Sequence, residues 1–124
     1  MSSMLGIGID AVDIDRFRRV LERSPAIKAR IFTAREIGNV SSKMDPAPSL
    51  AARFAAREAT MKVLGVGLGA IDLRDVSIER KISGEPQLVV TGRAHDLAVS
   101  KGITHWYVSL SHTAQVAVAV VAAA

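Results

Sequence analysis

The run from residue 51 to residue 64 constrains the fold most, because it is rich in alanine and holds no helix-breaking residue before Gly65. Alanine and leucine favour helix, so the run predicts a long helix that ends at glycine. Its larger apolar side chains fall mostly on one side, as in a helix with a core-facing stripe. These side chains are Leu50, Phe54, Met61 and Leu64.

Two charged side chains stand near the end of this predicted helix. Glu58 and Lys62 are four residues apart, so they share one face just before the glycine-rich residues 65–69. A carboxylate can bind a hard cation, an ammonium can neutralise phosphate, and glycines let backbone N–H groups approach an anion. A surface ion pair on a glycine-capped helix explains the same residues. This stretch alone leaves both interpretations open.

A first strand is predicted at residues 4–12, with alternating faces. Leu5, Ile7 and Ile9 share one face, and the other face carries Gly6, Gly8 and Asp10. Glycines there leave room for the close approach of a backbone or a ligand. An aspartate inside an apolar strand needs solvent, a hydrogen-bond donor or a cation, unless it belongs to the start of the next helix. Asp10 and Glu58 are the one plausible pair of metal ligands, and two carboxylates completed by phosphate and water suit Mg²⁺.

Composition excludes several classes of protein. The 124 residues are 49% hydrophobic and 23% charged, which predicts one soluble domain over residues 1–124. The absence of cysteine excludes disulfides and thiolate metal sites and suits the cytoplasm. No signal-peptide pattern is present, and the apolar residues 116–124 are too few to cross a bilayer, so we expect no membrane association. Residues 116–124 predict a buried last strand with a frayed tail.

Basic residues are concentrated in one segment, because residues 15–35 hold seven of them against two acidic residues. A predicted amphipathic helix there places Phe17, Val20 and Leu21 largely opposite Arg16, Arg18, Arg19 and Arg23. Such a patch attracts nucleic acid, anionic lipid or an acidic protein, unless it is only a solvated face. Aromatic residues are 4% of the chain and no helix-turn-helix signature is present, so nothing specific indicates nucleic acid.

The remaining segments predict further helices and two hairpins. Thr33 and Glu36 form a capping-box pattern at a helix start, and residues 41–49 have the composition of a loop. Strands at residues 72–80 and 87–91 form one hairpin. A helix at residues 93–101 and a second hairpin around His112 follow.

These motifs, taken in order, resemble the holo-[acyl-carrier-protein] synthase family, the small bacterial phosphopantetheinyl transferases. The matching segments are residues 6–10 with Arg16 and Phe17, then residues 31–36, 53–62, 65–68, 84–86 and 108–113. Any one matching segment is weak evidence for the family. Several segments in the same order over nearly the whole chain are specific evidence for it. Arg57 stands where many members have lysine, which keeps the charge but changes the geometry.

The resemblance implies an α+β fold, with an antiparallel sheet packed against a long central helix, and a homotrimer with active sites between subunits. It implies transfer of the 4′-phosphopantetheine arm of coenzyme A to a serine of an apo-acyl carrier protein, with release of adenosine 3′,5′-bisphosphate. Two alternatives remain open from the residues alone. One is a non-catalytic basic module that binds nucleic acid, and the other is an inactive scaffold that binds an acidic carrier protein.

The resemblance also implies a role for each motif residue. Asp10 and Glu58 bind Mg²⁺, Glu58 or a metal-bound water acts as the base, and Lys62 holds a phosphate, so these three form the catalytic set. The residues implied in coenzyme A binding are Arg53, Lys62, Gly65, Gly67, Pro86, His112 and Thr113. The arginines implied in docking an acidic acyl carrier protein are Arg16, Arg19 and Arg23.

Overall fold

Strands and helices are mixed along residues 3–124, the part of the chain described by the computed structural model. The strands are β1 (Gly6–Asp13), β2 (Val76–Arg80), β3 (Pro86–Val90), β4 (Trp106–His112) and β5 (Val116–Ala123). The helices are α1 (Ile14–Arg23), α2 (Pro25–Ile31), α3 (Ala34–Val40), α4 (Ala47–Leu64) and α5 (Gly92–Ser100), and a short 3₁₀ turn, Leu73–Asp75, leads into β2. No helix in residues 3–124 has the length and apolar character needed to span a membrane.

The strands form two antiparallel sheets, so the predicted α+β class is confirmed, with two sheets where one was expected. One sheet has the order β1-β5-β4, and the other is the predicted β2-β3 hairpin. The last strand is therefore central, and its register places Ala119 opposite Asp10. The predicted frayed tail is wrong, because the amide of Ala124 donates to the carbonyl of His105 and its own carbonyl accepts from Thr104 and His105.

Helix α4 is buried on more sides than the predicted stripe allowed. Six of its 18 residues are alanines, so the neighbouring elements approach closely and almost no face is left to solvent. Alanine therefore serves close packing here as well as helix propensity. The helix begins at Ala47 with Pro48 in its first turn, so the predicted loop ends earlier than expected. It ends as predicted, with Gly65 in the left-handed conformation at φ 71°.

Two hydrophobic clusters pack along α4. The N-terminal half contributes Leu50, Ala51 and Ala52 to a cluster with α1, α2 and α3, which includes Phe17 and Phe32. The C-terminal half packs against both sheets and α5. The helix thus links the basic N-terminal helices to the sheets, and residues along its length are fixed relative to both.

A fully buried ion pair joins α3 to α4. Both Glu36 and Arg57 have 0% side-chain exposure, and the Arg57 guanidinium donates to both carboxylate oxygens of Glu36. Arg57 Nε also donates to the carbonyl of Leu73 at 2.8 Å. The Glu36 carboxylate accepts further from the amides of Thr33 and Ile78, at 3.0 and 3.1 Å. The predicted capping box of α3 is confirmed, and its glutamate also anchors α4 and β2.

This network gives a physical reason for arginine at position 57, where the resemblance led us to expect lysine. Nε of Arg57 bonds Leu73 while its two terminal nitrogens bond Glu36, and the guanidinium lies 4.9 Å from the centroid of the Phe32 ring. A lysine ammonium is a single centre and cannot make these contacts in the same plane. The three contacts satisfy a charge that burial would otherwise make costly.

We expect Arg57→Met to destabilise the fold by about 3–5 kcal/mol, because it leaves the Glu36 carboxylate buried and uncompensated. Arg35→Met is the matched control, since Arg35 pairs with Glu79 at the surface with 71% of its side chain exposed. It should lower the free energy of unfolding by less than about 1 kcal/mol. Urea unfolding curves of both variants measure the difference, and equal losses would contradict the assignment.

Candidate active site

The site is built where β1 crosses the C-terminal half of α4. Gly8 is buried, and a Cβ atom placed on it would lie 2.2 Å from the carbonyl oxygen of Ala59. No side chain fits at that distance, so glycine is required for this backbone contact. The close approach predicted for the glycine face of the first strand is therefore made by the backbone of α4.

The contact brings three predicted residues together. Asp10 follows Gly8 on the same face of β1, and Lys62 reaches across from α4 to place Nζ 3.3 Å from Asp10 Oδ1. The same Nζ donates to the carbonyl of Ile9 at 2.7 Å. Glu58 lies one helical turn before Lys62, which places both residues on the face of α4 that meets β1. Asp10 and Glu58 line one pocket.

Burial is the main reason that the pKa of Glu58 lies above its ordinary value. The charge of Asp10 raises the pKa further, and the charge of Lys62 partly opposes the shift. Two carboxylates that repel each other in a partly dehydrated site are a common feature of acid–base and cation-binding centres. No third histidine, aspartate, glutamate or cysteine joins them in a metal-binding cluster within the described part of the chain.

The pocket beside these carboxylates has a volume of about 500 Å³ and is bounded by α1, α2, α4 and β1. Its apolar lining includes Phe17, Val20, Phe54, Leu68 and Leu73. Sequence reasoning placed Phe54 in the core stripe and did not link it to the site. The only signal available was its position one turn before Glu58 on the predicted helix.

The glycine-rich loop leaves α4 directly beside Lys62. Gly65 caps the helix in the left-handed conformation, and the loop turns again where the amide of Ala70 donates to the carbonyl of Gly67. Both glycines are exposed, and a Cβ atom on either would meet nothing within 4 Å. The loop backbone is therefore open to a ligand, as the proposed contacts of Gly65 and Gly67 require.

Arg53, predicted to contact coenzyme A, is 3% exposed in this chain. One terminal nitrogen donates to the carbonyl of Ser49 at 3.3 Å, and buried Nε has no hydrogen-bond partner within residues 3–124. Burial is the main cause of a lowered pKa for this guanidinium. The structure does not bring Arg53 into the pocket of Asp10 and Glu58.

Pro86, His112 and Thr113 also lie outside that pocket. Pro86 begins β3 and lines a second pocket of about 410 Å³, between β3 and β4. His112 is exposed at the end of β4, with Ala117 of β5 opposite it. The Thr113 hydroxyl accepts hydrogen bonds from the amides of Gln115 and Val116, at 3.1 Å each, and so closes the β4–β5 turn. A single chain does not gather the whole predicted set around one cavity.

The basic helix lies next to the carboxylates. Arg16 lines the same pocket as Asp10 and Glu58, and Arg19 and Arg23 are exposed further along α1. Within residues 3–124, none of these three arginines forms an ion pair, whereas Arg18 pairs with Asp15 and Asp45. The three predicted docking residues therefore carry positive charge that is not paired within residues 3–124, and Arg16 places one of these charges at the pocket.

Comparison with known proteins identifies the family. Residues 6–121 match the profile of the 4′-phosphopantetheinyl transferase superfamily. The chain is 46% identical to a holo-[acyl-carrier-protein] synthase of Streptomyces avermitilis, and the alignment covers 98% of each chain. It is 44% identical to the corresponding synthase of Moorella thermoacetica over 94% of this chain and 91% of that one.

A solved structure has the same fold over nearly the same length. The crystal structure of holo-[acyl-carrier-protein] synthase from Neisseria meningitidis superposes with a TM-score of 0.87 at 30% identity, covering 98% of this chain and 99% of that chain. Agreement in sequence and in fold over almost the full length leaves one assignment. The protein belongs to the holo-[acyl-carrier-protein] synthase family of phosphopantetheinyl transferases.

Proposed function

We propose that this protein transfers the 4′-phosphopantetheine arm of coenzyme A to a serine of an apo-acyl carrier protein, and that it works as a single domain in the cytoplasm. The observation that carries the proposal is the convergence of Asp10, Glu58 and Lys62 beside a glycine-rich loop. A nucleic-acid module or an inactive scaffold needs no such convergence. Family membership favours the enzyme over both.

The donor set fits a hard divalent cation. Asp10 and Glu58 offer carboxylate oxygens on one pocket, and their mutual repulsion is relieved when a cation binds between them. Mg²⁺ accepts such a partial set, because it keeps several waters and takes its remaining ligands from substrate phosphates. When bound, it supplies charge neutralisation at the diphosphate. We therefore assign Asp10 and Glu58 as its protein ligands.

The chain's own residues then account for the transfer. The serine Oγ of the carrier attacks the phosphorus that bears pantetheine, an O–P bond forms, and the bond from that phosphorus to the bridging diphosphate oxygen breaks. Glu58, which lines the pocket that the serine must enter, takes the serine proton. Lys62 and the backbone amides of the loop stabilise charge on the leaving adenosine 3′,5′-bisphosphate.

Replacing Glu58 by glutamine should lower kcat/KM by at least about a hundredfold, because it removes the base and one metal ligand. The readout is the gain in mass of an apo-acyl carrier protein incubated with coenzyme A and Mg²⁺. Glu79→Gln is the control, since Glu79 lies on β2 outside the pocket. Full activity in a folded Glu58→Gln variant would disprove the catalytic assignment, and an inactive wild-type protein would disprove the function.

Carrier docking is assigned to Arg16, Arg19 and Arg23. Arg16 lines the pocket that holds the reacting groups, and Arg19 and Arg23 are exposed on the same helix. An acidic surface around the carrier serine would therefore be guided towards Glu58. Such steering between exposed charges is weakened by salt.

The double variant Arg19→Glu/Arg23→Glu should raise KM for the carrier about tenfold and leave KM for coenzyme A unchanged, because only the encounter with an acidic surface is impaired. Added salt should weaken carrier binding by the wild type more than carrier binding by the variant. Arg93→Glu/Lys101→Glu changes the net charge equally at α5. An equal rise in KM for this control would show that net charge, and not α1, attracts the carrier.

A homotrimer is supported by the outer face of the β1-β5-β4 sheet. Ile7, Ile9 and Tyr107 are 64%, 58% and 59% exposed there. On β5, the half-buried Ala122 lies between Ile7 and Tyr107, and the half-buried Val120 lies beside Ile9. Contiguous apolar surface of this kind marks a contact with another protein. Pro86 and the catalytic carboxylates line different pockets of one chain. One coenzyme A can contact both if they come from adjacent subunits.

The substitution Ile7→Lys should break this assembly, because it places a charge in the centre of the apolar face. Light scattering after gel filtration should show a mass reduced from three chains to one. Val99→Lys is matched to it, since Val99 is an apolar side chain on α5 with 58% exposure. An unchanged mass for Ile7→Lys would exclude this face as the interface.

A further inference from the structure

The Lys62 side chain already occupies the neighbourhood of the proposed metal ligands. Its Nζ donates to the Ile9 carbonyl at 2.7 Å and to Asp10 Oδ1 at 3.3 Å. The side chain is 56% exposed, so nothing buries it in this position. It leans on Asp10 because an ammonium is attracted by a carboxylate and a backbone carbonyl that face the same way.

The net charge of the site determines whether a cation binds there alone or together with the diphosphate of coenzyme A. The carboxylates of Asp10 and Glu58 together carry two negative charges, and Lys62 offsets one of them. A divalent cation arriving alone would be placed beside the ammonium and would be repelled by it. The diphosphate of coenzyme A brings two negative charges of its own. The cation and the diphosphate arriving together therefore leave the net charge of the site unchanged.

We propose that Lys62 holds the place of the divalent cation in the free protein, so that the substrate taken up is the cation complex of coenzyme A. This inference rests on the proposed function. On binding, Nζ would leave Asp10 and the Ile9 carbonyl and donate to a phosphate of coenzyme A, and the carboxylates of Asp10 and Glu58 would then hold the cation. The flexible four-carbon stem of lysine permits this exchange from a fixed helix end.

The test measures binding of Mn²⁺ to the free protein by electron paramagnetic resonance, in the absence and presence of coenzyme A. Lys62→Met removes the ammonium and keeps an unbranched stem of similar length. We expect it to bind Mn²⁺ on the order of tenfold more tightly than the wild type when coenzyme A is absent. The wild type should gain affinity for Mn²⁺ when coenzyme A is added, and the variant should gain less.

Two controls define the outcome. Lys101→Met removes an exposed lysine next to α5 and should leave Mn²⁺ affinity unchanged, whereas Asp10→Asn should lose Mn²⁺ binding. If Lys62→Met binds Mn²⁺ no more tightly than the wild type or than Lys101→Met, the place-holding role is wrong, although the proposed function stands. If the wild type does not bind Mn²⁺ even with coenzyme A, the proposed cation site fails, and this inference fails with it.

Discussion

The contact between the backbones of β1 and α4 is the constraint on which the site depends. Gly8 lies so close to the Ala59 carbonyl that a single methyl group would force the two elements apart. Because the strand and the helix touch at this point, Asp10 on the strand lies within ion-pair distance of Lys62 on the helix. Widening the gap would separate the two carboxylates from each other and from the ammonium. The absence of a side chain at Gly8 thus allows Asp10 and Lys62 to come together.

The buried pair of Glu36 and Arg57 fixes α4 from the other side. Arg57 precedes Glu58 on the helix, and its guanidinium holds the carbonyl of Leu73, whose side chain lines the pocket. The pair therefore connects the N-terminal helices, α4 and the start of β2 through charge-assisted hydrogen bonds in a dry environment. The contact of Gly8 with α4 and the ion pair of Arg57 with Glu36 therefore fix the part of α4 that carries Glu58.

The two faces of β1 connect the candidate active site with the proposed assembly. In an isolated chain, a strand normally turns its apolar face to the core, but β1 turns its glycine face inward and leaves Ile7 and Ile9 exposed. The inward face carries Gly8, which contacts the backbone of α4, and Asp10. The outward face is then available to a neighbouring subunit, which the proposed trimer uses. One strand thereby contributes to the candidate active site and to the proposed interface.

The sequence by itself determined the local features: the helix that ends at Gly65, the capping box at Thr33, the alternating faces of β1 and the charged face of α1. These depend on neighbours within a few residues, where periodicity and propensity act. Only the tertiary structure decided that Asp10 meets Lys62, that Arg57 pairs with Glu36, and that Pro86 lies in another pocket. Those relations join residues far apart along the chain. They are fixed by which surfaces pack together, and no local pattern records that choice.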